Sequence, residues 1–161
     1  MTRYDTHSLS QYLDSLAARE PVPGGGSAAA LCGALGAGLI QMVAKYSLGK
    51  GKPADVETRL AQIDREAGEI RSGLLTLVSR DAEAYLEVVA ARKKDEAARK
   101  AAAVFASQVP QDIRKAAEKG LFFIPYLRKE GNPYLQADVD AAEEFLKAAT
   151  HVADVMIKAN S

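Results

Sequence analysis

The sequence contains no tryptophan, one cysteine, two histidines and three methionines. The lone Cys32 excludes an intramolecular disulfide framework and fits a reducing compartment. His7 and His151 offer no zinc-ligand spacing, which argues against a metalloenzyme. Neither sign of charge is in excess: Lys+Arg is 21, Asp+Glu is 21, and the formal net charge is +0. A dedicated nucleic-acid binder normally carries a basic surplus, so no nucleic-acid partner is expected. The N-terminal MTRYDTHSLSQYLDSL is polar and lacks the apolar centre of a signal peptide. Strand signals are sparse, with no alternating run bounded by hairpin dipeptides.

What is present is an ordinary globular composition, 48% hydrophobic and 26% charged in 161 residues. That length suits one domain, residues 1–161, with a sizeable core. One stretch, Gly24 to Ala44, has no charge and is long enough to cross a bilayer, which takes ~20 apolar residues. Six of its residues are glycine, and Ser27 and Gln41 are polar. A helix buried inside a helical bundle explains such a run better than a membrane span. The expected location is therefore the cytoplasm, with no membrane partner.

Helix signals run along the whole chain. Ser8 and Gln11 form a capping-box pattern and predict a helix over Ser8–Ala18. Pro21 to Gly26 breaks the chain, and Ser27 is expected to cap a helix reaching about Leu48. Small residues recur four apart along it, Ala30, Ala34 and Gly38 beside Ala29, Gly33 and Ala37, which lets another helix come close. From Pro53 to about Lys94, Leu60, Ile63, Ala67, Ile70, Leu74 and Leu77 alternate steps of three and four, a seam packed on a partner helix. Gly68 and Gly73 weaken its continuity. Another helix begins near Asp95 and is expected to kink or restart at Pro110. An aromatic segment follows at 122–126, then the turn Gly131-Asn132-Pro133. A last helix starts near Asp138, with Val139, Ala142, Phe145, Leu146, Ala149, Val152 and Met156 inward. The predicted architecture is an all-α, single-domain bundle of five to seven helices, with long antiparallel members.

Three features can carry chemistry. Pro23-Gly24-Gly25-Gly26-Ser27 opens directly onto a helix, where free N–H groups favour anions or carbonyl oxygens. The plainer reading is a flexible hinge. No strand precedes it and no Gly-Lys-Ser/Thr follows, so it is not a nucleotide P-loop. Asp81 takes the next inward position of the seam after Leu77. Burial would raise its pKa and suit it to proton transfer near neutral pH; the plainer reading is a salt bridge or a solvated site. Lys45, Lys50 and Lys52 cluster at a helix C-terminus, where they complement the macrodipole or meet an anionic substrate tail. Cys32 reads as a small hydrophobe.

PVPGGGSAAALCGALGAGLIQMVAKYSLGK over 21–50, Asp81-Ala82-Glu83-Ala84-Tyr85, Val109-Pro110, and Gly131-Asn132 followed by Asp138 together resemble the cyclodeaminase/cyclohydrolase domain family of formiminotransferase-cyclodeaminase. The order holds over essentially the whole chain. The resemblance implies a folate one-carbon enzyme, a homodimer, with folate in a cleft at or near the subunit interface. The substrate would be a tetrahydrofolate derivative, with no tightly bound cofactor and no metal. It implies Asp81 as the acid/base group and Pro23, Gly24, Gly25, Gly26 and Ser27 as folate contacts. Asn132 and Asp138 join the site, and Lys45 and Lys50 would meet the folate carboxylates. The implied reaction is cyclodeamination of 5-formimino-tetrahydrofolate or hydrolysis of 5,10-methenyl-tetrahydrofolate. A reading of another class is a non-catalytic bundle that binds folate or a protein partner.

Overall fold

Capping chemistry sets the first helix. In the computed structural model, which describes residues 3–160, a 3-10 turn (Tyr4–Thr6) leads into α1 (Leu9–Ala17). The Ser8 hydroxyl accepts from the Gln11 N–H, and the Gln11 side chain accepts from the Ser8 N–H, so the box closes from both sides. The chain continues through α2 (Gly25–Ser47), α3 (Ala54–Ala91), α4 (Glu96–Leu121), α5 (Ile124–Glu130), a second 3-10 turn (Pro133–Leu135) and α6 (Gln136–Ala159). No strand occurs among the described residues.

The four long helices make an up-down-up-down bundle. α2 packs on α3 and α6, and α4 packs on the same two. Lys45 of α2 reaches Asp64 of α3 at 3.8 Å, while Ser27 at the other end of α2 meets Asp81, so the pair is antiparallel. Gly25 lies beside Met156 and Gly36 beside Leu146, so α6 is antiparallel to α2 as well. Ile40, Leu60, Ile63, Leu74, Ile113 and Leu146 are fully buried between the helices. The small-residue stripe is what lets α6 approach. A Cβ on Gly36 would stand 2.8 Å from Leu146 Cγ and 3.0 Å from the Ala142 carbonyl oxygen.

Several expectations change. α3 is continuous through Gly68 and Gly73, because the seam Leu60, Ile63, Ala67 and Leu74 is buried on its partners and outweighs two weak helix formers. α4 neither stops nor restarts at Pro110. The missing proline N–H would leave the Ala106 carbonyl without its helical donor, and the Asn160 side-chain amide donates to it at 3.1 Å. The aromatic segment forms α5. Phe145, expected inward on α6, is 38% exposed, since the inward stripe of Val139, Ala142, Leu146 and Ala149 is narrower than the sequence pattern. Ser27 does not cap α2: the helix begins at Gly25 with Gly24 before it, and Ser27 is its third residue.

α2 is long and apolar enough to cross a membrane by length and composition, and 56% of its most apolar window is buried in the bundle. Its outward face is only partly covered. Ala28, Cys32, Leu35, Leu39, Met42 and Tyr46 follow one another at heptad steps, with Leu35 51% and Tyr46 60% exposed.

Candidate active site

The N-terminus of α2 and the outer third of α3 meet at one corner of the bundle. Gly24 is extended backbone, and the helix turns immediately at Gly25. Ala28 donates its N–H to the Gly24 carbonyl at 3.0 Å. Ser27 donates its N–H to Asp81 Oδ2 at 2.9 Å. The Gly25 and Gly26 N–H groups have no partner among the described residues. A helix that lacks a side-chain cap of its own thus borrows a carboxylate from its neighbour and leaves two donors free.

Asp81 stands one turn beyond Leu77, where the seam placed it. Its Oδ1 packs against Gly26 so closely that a Cβ there would lie 2.1 Å away. That approach explains glycine at position 26 by space rather than by backbone conformation. Burial pushes the Asp81 carboxyl above its ordinary pKa, and the Ser27 N–H pulls it part of the way back. No ion pair reaches Asp81 among the described residues, so the salt-bridge reading is not realised. The arrangement is a desolvated carboxyl with one oxygen held by the Ser27 N–H and the other packed against Gly26. Such a group can take a proton from an attacking atom and return it to a leaving one.

Two tyrosines that the sequence reading did not select also touch this corner. Tyr12, 3% exposed, shares a hydrogen bond of 3.0 Å with the Ser27 hydroxyl. Tyr4 donates to the Val22 carbonyl at 3.2 Å, just before the buried Pro23. Nothing in the sequence says which element an aromatic of α1 will reach.

The remaining candidates lie at the far end of the bundle. By helical rise Lys45 is about 27 Å along α2 from Ser27. Lys45 is exposed and pairs with Asp64, and Lys50 is exposed in the turn after α2, where Gly49 and Gly51 take φ of 68° and 72°. Asn132 donates its backbone N–H to the Ser47 hydroxyl at 2.8 Å, and its side chain accepts from the Tyr134 N–H at 3.0 Å. In this chain it fastens the turn before α6 onto the end of α2. Asp138 sits in the first turn of α6, half-buried. Within one chain, Asp81 with residues 23–27 and Lys45, Lys50, Asn132 and Asp138 are two separate groups. A groove of about 950 Å³ runs between α3 and α4, past Ile70, Gly73, Leu77 and Ala116, and Asp81 is not among its walls. No cluster of three or more His, Cys, Asp or Glu suited to a metal occurs among the described residues.

The sequence profile of the formiminotransferase-cyclodeaminase family matches residues 8–161. The chain belongs to this family. A curated relative, the methenyltetrahydrofolate cyclohydrolase of Methylorubrum extorquens, is 39% identical over 84 residues. That alignment spans 52% of this chain and 40% of the relative's length. The crystal structure of formiminotetrahydrofolate cyclodeaminase from Thermotoga maritima superposes with a TM-score of 0.92 at 30% identity. The superposition covers 97% of this chain and 79% of that one. These two relatives are named as a methenyltetrahydrofolate cyclohydrolase and a formiminotetrahydrofolate cyclodeaminase.

Proposed function

We propose that this chain is a folate one-carbon enzyme acting on the carbon held between N5 and N10 of tetrahydrofolate. It either closes 5-formimino-tetrahydrofolate to 5,10-methenyl-tetrahydrofolate with release of ammonia, or hydrolyses 5,10-methenyl- to 10-formyl-tetrahydrofolate. The observation that carries the reading is the Asp81 carboxyl, half-buried and packed against a glycine-led helix N-terminus.

Both reactions pass through a tetrahedral carbon. In cyclodeamination N10 attacks the formimino carbon, Asp81 takes the N10 proton, and the former imino nitrogen leaves as ammonia after receiving two protons, one returned by Asp81 and one from solvent. In cyclohydrolysis water attacks the methenyl carbon, Asp81 takes a water proton, and N5 receives one as its bond to that carbon breaks. Such proton transfer contributes ~10²–10⁴-fold, and holding N10 or water against the carbon contributes through proximity. The Gly25 and Gly26 N–H groups would bind an oxygen of the substrate, with Pro23, Gly24 and Ser27 shaping the approach.

The active unit in this reading is a cytoplasmic homodimer. What supports the dimer is the heptad stripe of α2, apolar from Ala28 to Tyr46 and open to solvent at Leu35 and Tyr46. Antiparallel pairing of two such stripes about a two-fold axis would set the Lys45 and Lys50 end of one copy beside the Gly24–Ser27 and Asp81 end of the other. The two groups of candidate residues would then form one cleft, the lysines facing the folate carboxylates and Asn132 and Asp138 at its border.

The test follows the methenyl-tetrahydrofolate absorbance in the near ultraviolet, with wild type and Asp81→Asn side by side. Loss of signal from supplied methenyl-tetrahydrofolate, or its appearance from formimino-tetrahydrofolate, names the reaction. Abolition in the variant supports Asp81. No catalysed change in either direction refutes the reading.

A further inference from the structure

Two residues of the site corner that donate or accept through the backbone, Val22 and Ser27, bracket a segment with three consecutive glycines. Such a segment has few contacts of its own to hold one conformation. What holds it comes from the N-terminal arm. The Tyr4 hydroxyl donates to the Val22 carbonyl at 3.2 Å, at one end of the segment. The Tyr12 hydroxyl bonds the Ser27 hydroxyl at 3.0 Å, at the other end. The two tyrosine rings meet edge to face at 6.3 Å, so the two contacts belong to one rigid unit. The arm is itself tied to α3. Asp5 accepts from the Ser79 hydroxyl at 2.6 Å and donates its N–H back to the same oxygen at 3.2 Å, two residues from Asp81. Both tyrosine rings and Ser27 and Ser79 are buried, so these bonds do not compete with bulk water. Tyr4 and Asp5 also lie outside the residues matched by the family profile, 8–161.

We propose that Tyr4 and Tyr12 are positioning residues: their hydroxyls clamp the glycine segment 22–27 at its two ends and so fix where its N–H groups stand relative to the Asp81 carboxylate. The clamp acts through Ser27, whose hydroxyl takes the tyrosine bond while its N–H holds Asp81 Oδ2. Its role in turnover rests on the folate reading above; the clamp itself rests on geometry alone.

The test uses Tyr12→Phe, Ser27→Ala and the double variant, each removing one oxygen from a buried pair. Amide exchange by NMR reads the clamp directly. The Ser27 amide is expected to exchange about tenfold faster in Tyr12→Phe, the upper range for one neutral hydrogen bond, while core amides of α3 and α6 keep their rates. The methenyl assay is expected to show kcat lower by about tenfold with KM nearly unchanged. The double variant should match the single ones, since both remove the same bond. Tyr4→Phe should also speed exchange at Ser27, since it frees the Val22 end of the same segment. Unchanged Ser27 exchange in Tyr12→Phe overturns the clamp, as does a fully additive double variant. If the wild type turns over neither folate, the functional reading falls and the amide rates alone decide the clamp.

Discussion

Gly26→Ala puts a methyl group where the Asp81 carboxyl already stands. The added Cβ would lie 2.1 Å from Oδ1, 2.6 Å from Cγ and 3.0 Å from Oδ2, where ordinary contact begins at 3.4 Å. Either the segment moves by about an ångström or the carboxyl swings out, and overpacking of this kind costs ~1–3 kcal/mol. Swinging out also breaks the Ser27 N–H bond, and a hydrogen bond to a charged group is worth ~1.5–3 kcal/mol. Part of that is recovered, because the corner is near solvent and the freed carboxylate regains water. The expected loss is therefore ~1–3 kcal/mol, read from urea unfolding followed by far-ultraviolet circular dichroism. The cause is checked by a double-mutant cycle. Asp81→Ala removes the clashing atoms, so Gly26→Ala made on that background should cost at least ~1 kcal/mol less. Equal cost on both backgrounds would refute the claim that Gly26 is glycine because Asp81 occupies its side-chain space.

The other expectations span the molecule. Gly24→Ala should be nearly neutral in stability, since nothing lies within 4 Å of its Cβ position and its φ of −131° suits any residue; thermal melting checks it. Asp81 has a folded pKa above its ordinary 3.8 because of burial. The folded state then binds more protons than the unfolded one between those two values, so wild-type stability falls as pH rises through that window. Asp81→Asn should lose this dependence and gain on wild type as the pH rises above 3.8, measured by thermal midpoints. Gly36→Ala should cost ~1–3 kcal/mol by pushing α6 away, the obstacle including the Ala142 carbonyl oxygen, which no side-chain rotation can move. Leu35→Glu places a charge on the α2 stripe and should turn the proposed homodimer into monomer by light scattering, with helix content kept.

Much of the fold is legible in the sequence because its causes are local and periodic. Leu60, Ile63, Ala67 and Leu74 are buried as their spacing requires, and the same count reaches Asp81. The Ser8 and Gln11 capping box is readable because its two partners lie three residues apart. What escapes is what depends on a distant partner. Ser27 looks like a cap, but the cap is the Asp81 carboxylate on another helix, 54 positions away in sequence. Pro110 looks like a break, but Asn160 just beyond α6 supplies the donor that the Ala106 carbonyl lacks. Tyr12 is unremarked in sequence because its hydroxyl matters only once α1 lies across the start of α2. The family resemblance joins Lys45 and Asp81 in one site, yet Lys45 is near the C-terminus of the 23-residue α2 and Asp81 lies beside its N-terminus, a separation that a second copy would have to close.

The central claim is that Asp81 is the proton-transfer group of a folate site, and it is tested most directly by a carbon-13 NMR titration of the Asp81 carboxyl with and without tetrahydrofolate. The account predicts a titration above the ordinary carboxylate range in the free protein and a further shift when the folate binds. A carboxyl that titrates at its ordinary value and ignores the folate would contradict it.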